Sequence, residues 1–220
     1  VSGHLNQPDG PFHASGHAAV RGRERELRAL ADAGRRVVEL TVSHLADAAT
    51  TDRLAAELEA VAELLEAHAV EPVHSRYGGA GPDAHPHDIF PFDPVLGIYH
   101  PLALPVEVSW EPPLAVGHAT FTRPYQGPPG CVHGAVIAGV FDQVCNVANF
   151  RSGVPGPTRT LDVRYERPTL LGVPTRWEAW VESVEGREVT TRAHVLQEGQ
   201  VTCRCVGVFV DLAGRGAPLP

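Results

Sequence analysis

Lysine and methionine are both missing from this sequence. Without lysine, all 18 Lys-plus-Arg cations are arginines, so an anionic group bound by such a cation would meet a guanidinium. Without methionine, Val1 reads as an alternative start or as the product of trimming. No stretch approaches the roughly 18 consecutive apolar residues that a membrane-spanning helix needs, which excludes a helical span. The opening VSGHLNQPDGPFHASGHAAVRGR lacks the apolar core of a secretory signal, so a cytoplasmic location is expected. Positive charge is also short. Against 26 acidic residues the formal net charge is −8, which argues against nucleic acid or an anionic membrane as partner. A small anionic ligand stays compatible, because a few local arginines suffice to hold one. Cysteine is sparse, at 131, 145, 203 and 205. Cys203 and Cys205 form a C-x-C on one strand pattern, matching neither a C-x-x-C redox motif nor a paired zinc knuckle, so free buried thiols are expected.

What remains is an ordinary globular composition, 43% hydrophobic and 20% charged, in a chain long enough for one core plus an extension. Residues 1–18, rich in Gly, His and Pro, read as a flexible N-terminal segment. Residues 19–70 read as two amphipathic helices. Leu27, Leu30, Gly34, Val37, Thr41 and Leu45 recur at helical spacing in the first. Leu54, Leu58, Val61 and Leu65 form the stripe of the second, with Thr50 and Thr51 as candidate caps. Each stripe needs a surface to cover, so an antiparallel helical pair is expected. Residues 71–94 form a Pro/Gly/His-rich connector. Its run Asp83-Ala84-His85-Pro86-His87-Asp88 carries metal-capable side chains, but the prolines and the loop setting favour a solvated loop, and no metal is expected.

From 95 to 212 the texture is that of a curled sheet, followed by a tail at 213–220. Val106 and Val108 alternate with polar neighbours, and 114–123 repeats this less cleanly. The turn Gly127-Pro128-Pro129-Gly130 leads into CVHGAVIAGVFDQVCNVANF, a helix-length segment that is apolar nearly all round and therefore must be buried. Four period-2 runs follow: Leu161/Val163/Tyr165, Trp177/Ala179/Val181, Val189/Thr191/Ala193/Val195 and Val201/Cys203/Cys205/Gly207/Phe209. One buried helix followed by strands on short turns implies an α+β domain, an antiparallel sheet curling around the helix to hide it.

Several motifs then occur in order: Tyr125-Gln126-Gly127-Pro128-Pro129-Gly130-Cys131-Val132-His133-Gly134-Ala135, Asp142, Thr158 through Arg167-Pro168, and Val184-Glu185-Gly186-Arg187. Together they resemble the PaaI-like branch of the hotdog-fold acyl-CoA thioesterases, over about half the chain. The resemblance implies a hotdog fold, an edge-to-edge homodimer with a dimer of dimers left open, and hydrolysis of acyl-CoA to free acid and CoA. It implies no metal or redox cofactor, coenzyme A being part of the substrate.

The resemblance also implies the roles. Gly134, at the start of the buried helix, has the oxyanion donor: first-turn amides lack intrahelical partners, and a glycine lets a carbonyl approach. His133 positions that turn. Asp142 acts as base or nucleophile, and an ionised Asp in an apolar helix is costly unless paired or functional. Thr158 orients it, with Thr160 a close competitor on strand parity. Ala135, Thr160, Phe141 and Arg167 are the expected substrate contacts, Arg167 among the arginines that could meet CoA phosphates. Relatives often carry His-Gly-Gly where this chain has His-Gly-Ala, so activity depends on whether the working amide is that of Gly134 or of residue 135.

Asp142 follows His133 by nine residues. On a helix that is about two and a half turns and roughly 13 Å of rise, on the opposite face. If both groups serve one carbonyl, one must come from another subunit, so a site shared across a two-fold interface is expected. Cys131 invites a thiol-nucleophile reading, but no third group is evident to orient a Cys–His pair. Two other classes remain open: a non-hydrolytic acyl-CoA or acyl-carrier binding module, and a hotdog hydratase or dehydratase.

Overall fold

The computed structural model describes residues 20, 22–69 and 85–211. The expected flexible segment 1–18, the front of the connector and the tail 213–220 lie outside the described residues.

Two helices come first, α1 at Glu24–Thr41 and α2 at Ala48–Glu66. Glu24 and Glu26 fall in the first turn of α1, where the helix dipole favours negative charge. Asp47, rather than Thr50 or Thr51, caps α2: its carboxylate accepts from the Thr50 amide at 2.7 Å, and both threonines lie inside the first turn. Both expected helices are present, but the stripe of α2 is uncovered within the described residues. No residue of α2 is buried, and Leu54, Leu58, Val61 and Leu65 all stay exposed. The inward face of α1 keeps Gly34 of the expected stripe but is otherwise made by Ala31 and Arg35. Ala31 is buried, and Gly34 sits so near Pro101 that an added Cβ would lie 2.9 Å from the proline Cβ. Arg35 donates to the carbonyls of His100 (2.8 Å) and Ile98 (3.1 Å). Leu30 and Val37 are left exposed.

The back half of the connector is packed rather than loose. A short helix α3, Pro86–Ile89, leads into Phe90 and Leu96, which with Ile89 join the main core. The solvated-loop expectation for the His85–His87 run is thereby corrected: His87 is buried, and its Nδ1–H donates to the Leu96 carbonyl at 2.6 Å. The Asp93 carboxylate accepts from the amides of Val95 and Leu96 at 2.8 and 3.0 Å, which folds this stretch back onto itself.

The rest is a helix wrapped by a sheet. β1 (Val106–Glu111) and β2 (Leu114–Ala119) form a hairpin, and a single 3-10 turn at Arg123–Tyr125 follows. Helix α4 spans Gly134–Arg151, then come β3 (Thr158–Tyr165), β4 (Thr175–Glu185), β5 (Glu188–Gln197) and β6 (Gln200–Val210). All neighbours are antiparallel in the order β1-β2-β4-β5-β6-β3, so β1 and β3 are the edges. The β5–β6 turn needs left-handed backbone at both central residues, Glu198 (φ 50) and Gly199 (φ 76), the combination that matches the twist of a two-residue hairpin.

The alternating residues of the strands close on α4. Trp177, Phe121, Phe141 and Phe209 are fully buried, with Val140, Val144 and Val147 of the helix between them. Fully burying such a side chain is worth about 1.5–3 kcal/mol. Cys145, Cys203 and Cys205 are free and buried, as expected, and a hydrogen bond with Cys205 together with burial pushes the Cys145 thiol well up. Among the described residues no helix is long and apolar enough to cross a membrane.

Candidate active site

The start of α4 is built by the Gly-Pro-Pro-Gly turn before it. Gly127 donates to the Cys131 carbonyl at 3.0 Å, and Cys131 donates to Pro128 at 2.9 Å. Gly130 takes φ +75, and its amide donates to Gln126 Oε1 at 3.3 Å. Gly127 is required sterically, since a Cβ there would lie 2.8 Å from His133 Cα. The His133 amide donates to Tyr125 O at 2.8 Å, and the Val132 amide to Thr169 O at 2.8 Å. The chain is therefore tied on both sides as it enters the helix.

His133 is the N-cap. Its backbone is extended (φ −64, ψ 135), and its Nδ1 accepts from the Ala135 amide at 3.0 Å. Its carbonyl accepts from Val136 and Ile137 at 3.0 and 3.2 Å. Among the described residues the Gly134 amide has no acceptor. Of the first helical amides, Ala135, Val136 and Ile137 are thus taken and Gly134 is free. It borders a cavity of about 540 Å³ whose walls include Cys131, Ala135, Ile137, Tyr165 and Arg167. The methyl of Ala135 joins the wall, while its amide is already capped by His133. The Cys131 thiol turns back toward the Pro129 carbonyl, 3.6 Å away.

The carboxylate lies further along the same helix. Asp142 is half-buried, and its Oδ1 accepts from Thr158 Oγ at 2.5 Å. Asn146 donates to the Asp142 carbonyl at 3.0 Å. Thr158 and Thr160 do not share a face, contrary to the parity argument. Thr158 pairs with Phe209 and Thr160 with Val208, so β3 carries one residue more than β6 between them. This bulge resets the alternation. Thr158 turns inward to Asp142, while Thr160 lies with Asp162 and Arg164 on the exposed side. Phe141 is fully buried in the core and is not part of the cavity wall. Arg167 borders the cavity and donates to Gln200 Oε1 at 2.7 Å. Arg187 and Arg192 are engaged elsewhere, with the Asp211 carbonyl and with Glu182.

At the other end of β3, Tyr165 Oη donates to the Gly134 carbonyl at 2.9 Å. Sequence reasoning used Tyr165 only as a strand landmark. The one signal it offered was a phenol closing a period-2 run, which says nothing of the helix it reaches. One strand thus touches α4 at both candidate points, Asp142 at its start and Gly134 at its end. Seven residues of extended chain span roughly 23 Å, and the eight residues from Gly134 to Asp142 rise about 12 Å. A single thioester carbonyl does not bridge that separation within one chain. Among the described residues no group of three or more His, Cys, Asp or Glu is placed to hold a metal ion.

Residues 129–204 match the family model for the thioesterase superfamily. A crystal structure of a thioesterase superfamily protein is 38% identical, covering 84% of this chain and 94% of its own, with a TM-score of 0.73. A zebra fish thioesterase superfamily member 2 is 19% identical over 57% of this chain and 90% of its own, TM-score 0.49. A variant of the phenylacetic acid degradation protein PaaI from Thermus thermophilus is 23% identical over 50% and 95%, TM-score 0.46. No curated protein matches the sequence.

Proposed function

Because this chain belongs to the thioesterase superfamily, we propose that it hydrolyses acyl-CoA thioesters to free acid and CoA at a site shared by two copies. The thioester carbonyl oxygen accepts from the Gly134 amide of one copy. Asp142 of the other copy supplies the nucleophile, either by taking a proton from a water that adds to the carbonyl carbon or by adding directly. Negative charge gathers on the oxygen in the tetrahedral intermediate, where a fixed N–H at a helix N-terminus stabilises it most. Collapse expels the CoA thiolate. If Asp142 attacks directly, water then hydrolyses the acyl–carboxylate anhydride. Thr158 orients the carboxylate through its hydroxyl, and His133 holds the turn.

The observation that carries this reading is the division of amides at the head of α4. The Ala135 amide is taken by His133, and the Gly134 amide is free beside the cavity. An alanine at 135 is then compatible with catalysis, since the donor is supplied one residue earlier. The two-fold arrangement is supported by β3, an edge strand whose residues are mostly exposed. Such an edge is a template for pairing. Paired antiparallel with its copy about Leu161–Asp162, β3 would bring the Thr158 end of one chain beside the Tyr165 end of the other. The separation of Asp142 from Gly134 then becomes a juxtaposition across the axis. Arg167, which lines the cavity, would meet a CoA phosphate.

The decisive experiment is thiol release from a panel of CoA esters by the wild type and Asp142→Asn. A loss on the order of 100-fold or more is expected in the variant. Equal rates would remove Asp142 from the mechanism, and no thiol release from any ester by the wild type would remove the reading itself.

A further inference from the structure

The free Gly134 amide is useful only if it keeps its direction. A glycine at the first position of a helix has no side chain of its own to fix it, so the surroundings must do so. The peptide on its N-terminal side is held through the His133 carbonyl, which accepts from Val136 and Ile137. The peptide on its C-terminal side is held at both ends by side chains, His133 Nδ1 on the Ala135 N–H and Tyr165 Oη on the Gly134 oxygen. Of these three constraints, only the last comes from outside the turn and helix. The Tyr165 ring also lies against Gly134, where an added Cβ would come within 3.2 Å of Cζ and Oη. Tyr165 is therefore in contact with the glycine and with the cavity wall. Burial, with smaller contributions from Cys203 and Cys205, raises its phenol above the ordinary tyrosine range, so it remains a proton donor at neutral pH.

We propose that Tyr165 is a positioning residue for the reaction: its hydroxyl clamps the Gly134–Ala135 peptide from β3 and so aims the Gly134 N–H at the substrate carbonyl. This rests on the thioesterase reading for its chemistry, but the clamp itself is a property of the free protein. It also gives β3 a double task, with Thr158 steadying the carboxylate at one end and Tyr165 steadying the oxyanion donor at the other.

The test is Tyr165→Phe, which keeps the ring and removes only the hydroxyl. Two readouts are needed: kcat and KM for a hydrolysed CoA ester, and hydrogen exchange by mass spectrometry over the peptide containing 133–140. Loss of one directed hydrogen bond should lower kcat about tenfold with KM changed less than about twofold. Exchange at the head of α4 should quicken, while that of β4 and β5 stays as in the wild type. An unchanged kcat overturns the proposal whatever the exchange does. So does a lowered kcat with unchanged exchange, since Tyr165 would then act on the substrate rather than through Gly134. A matching rise in KM would make it a cavity wall and overturn it too. If the wild type releases no thiol at all, the thioesterase reading fails by itself, and unchanged exchange in Tyr165→Phe still refutes the clamp.

Discussion

At the scale of single residues, the head of α4 is a place where one methyl or one ring nitrogen decides the outcome. Gly134→Ala would put a methyl 3.2 Å from Tyr165 Cζ and Oη. The ring must shift, and the Tyr165 bond to the Gly134 carbonyl with it. Alanine is otherwise a good helix residue, so we expect the fold to persist while kcat falls on the order of 100-fold. Circular dichroism and thiol release measured on one sample check both halves of this. His133→Ala should act differently. It removes the acceptor of the Ala135 amide and costs about 1 kcal/mol of stability, the usual price of a lost N-cap, readable from urea denaturation. His133→Asn should recover most of that loss, because an Asn side chain caps as well. The sequence carried part of this scale. Asp142 and the His133-Gly134 turn were singled out by the resemblance, as a carboxylate and a glycine in an otherwise apolar helix. The choice between Thr158 and Thr160 was not legible, because the bulge that separates them leaves no mark in residue type. Tyr165 was missed because its partner is a backbone carbonyl.

At the scale of elements, period-2 alternation found all six strands, since each has one face against a common core, and the buried helix was found by being apolar nearly all round. Periodicity failed where an element docks through something other than its apolar stripe. α1 meets the body through Ala31, Gly34 and Arg35, a face defined by small size and a guanidinium, while Leu30 and Leu40 remain in solvent. The reach of that contact extends to the turn before α4. Glu39 accepts from Thr122 Oγ at 3.1 Å, and three residues later the Tyr125 carbonyl holds the His133 amide. The contacts of α1 favour one task for the extension, bracing the turn that leads into α4. Arg35→Met would leave two carbonyls without their donor and should cost about 1–3 kcal/mol, measured by urea denaturation. Stability unchanged within error would mean that the helix is merely tethered.

At the scale of the whole molecule, the proposed pairing makes a prediction that no monomeric enzyme would satisfy. A dimer of one Asp142→Asn chain and one Gly134→Ala chain keeps one site with both working groups, while its other site has neither. Mixing the two inactive variants under conditions that let subunits exchange should restore about a quarter of wild-type activity, since half of the dimers are mixed and each has one intact site. No recovery, with subunit exchange verified by native mass spectrometry, would place both groups of each site in the same chain. The fold class was readable at this scale because a helix without a polar face admits few solutions other than a sheet curled around it.

The strand that reaches Thr158 at one end and Tyr165 at the other has a consequence for how catalysis responds to dilution. On the proposed pairing a solitary chain holds two half-sites and no whole one. Rate per chain would then fall away below the dissociation constant of the pair and level off above it, so the abundance of the protein would set its turnover as well as its amount.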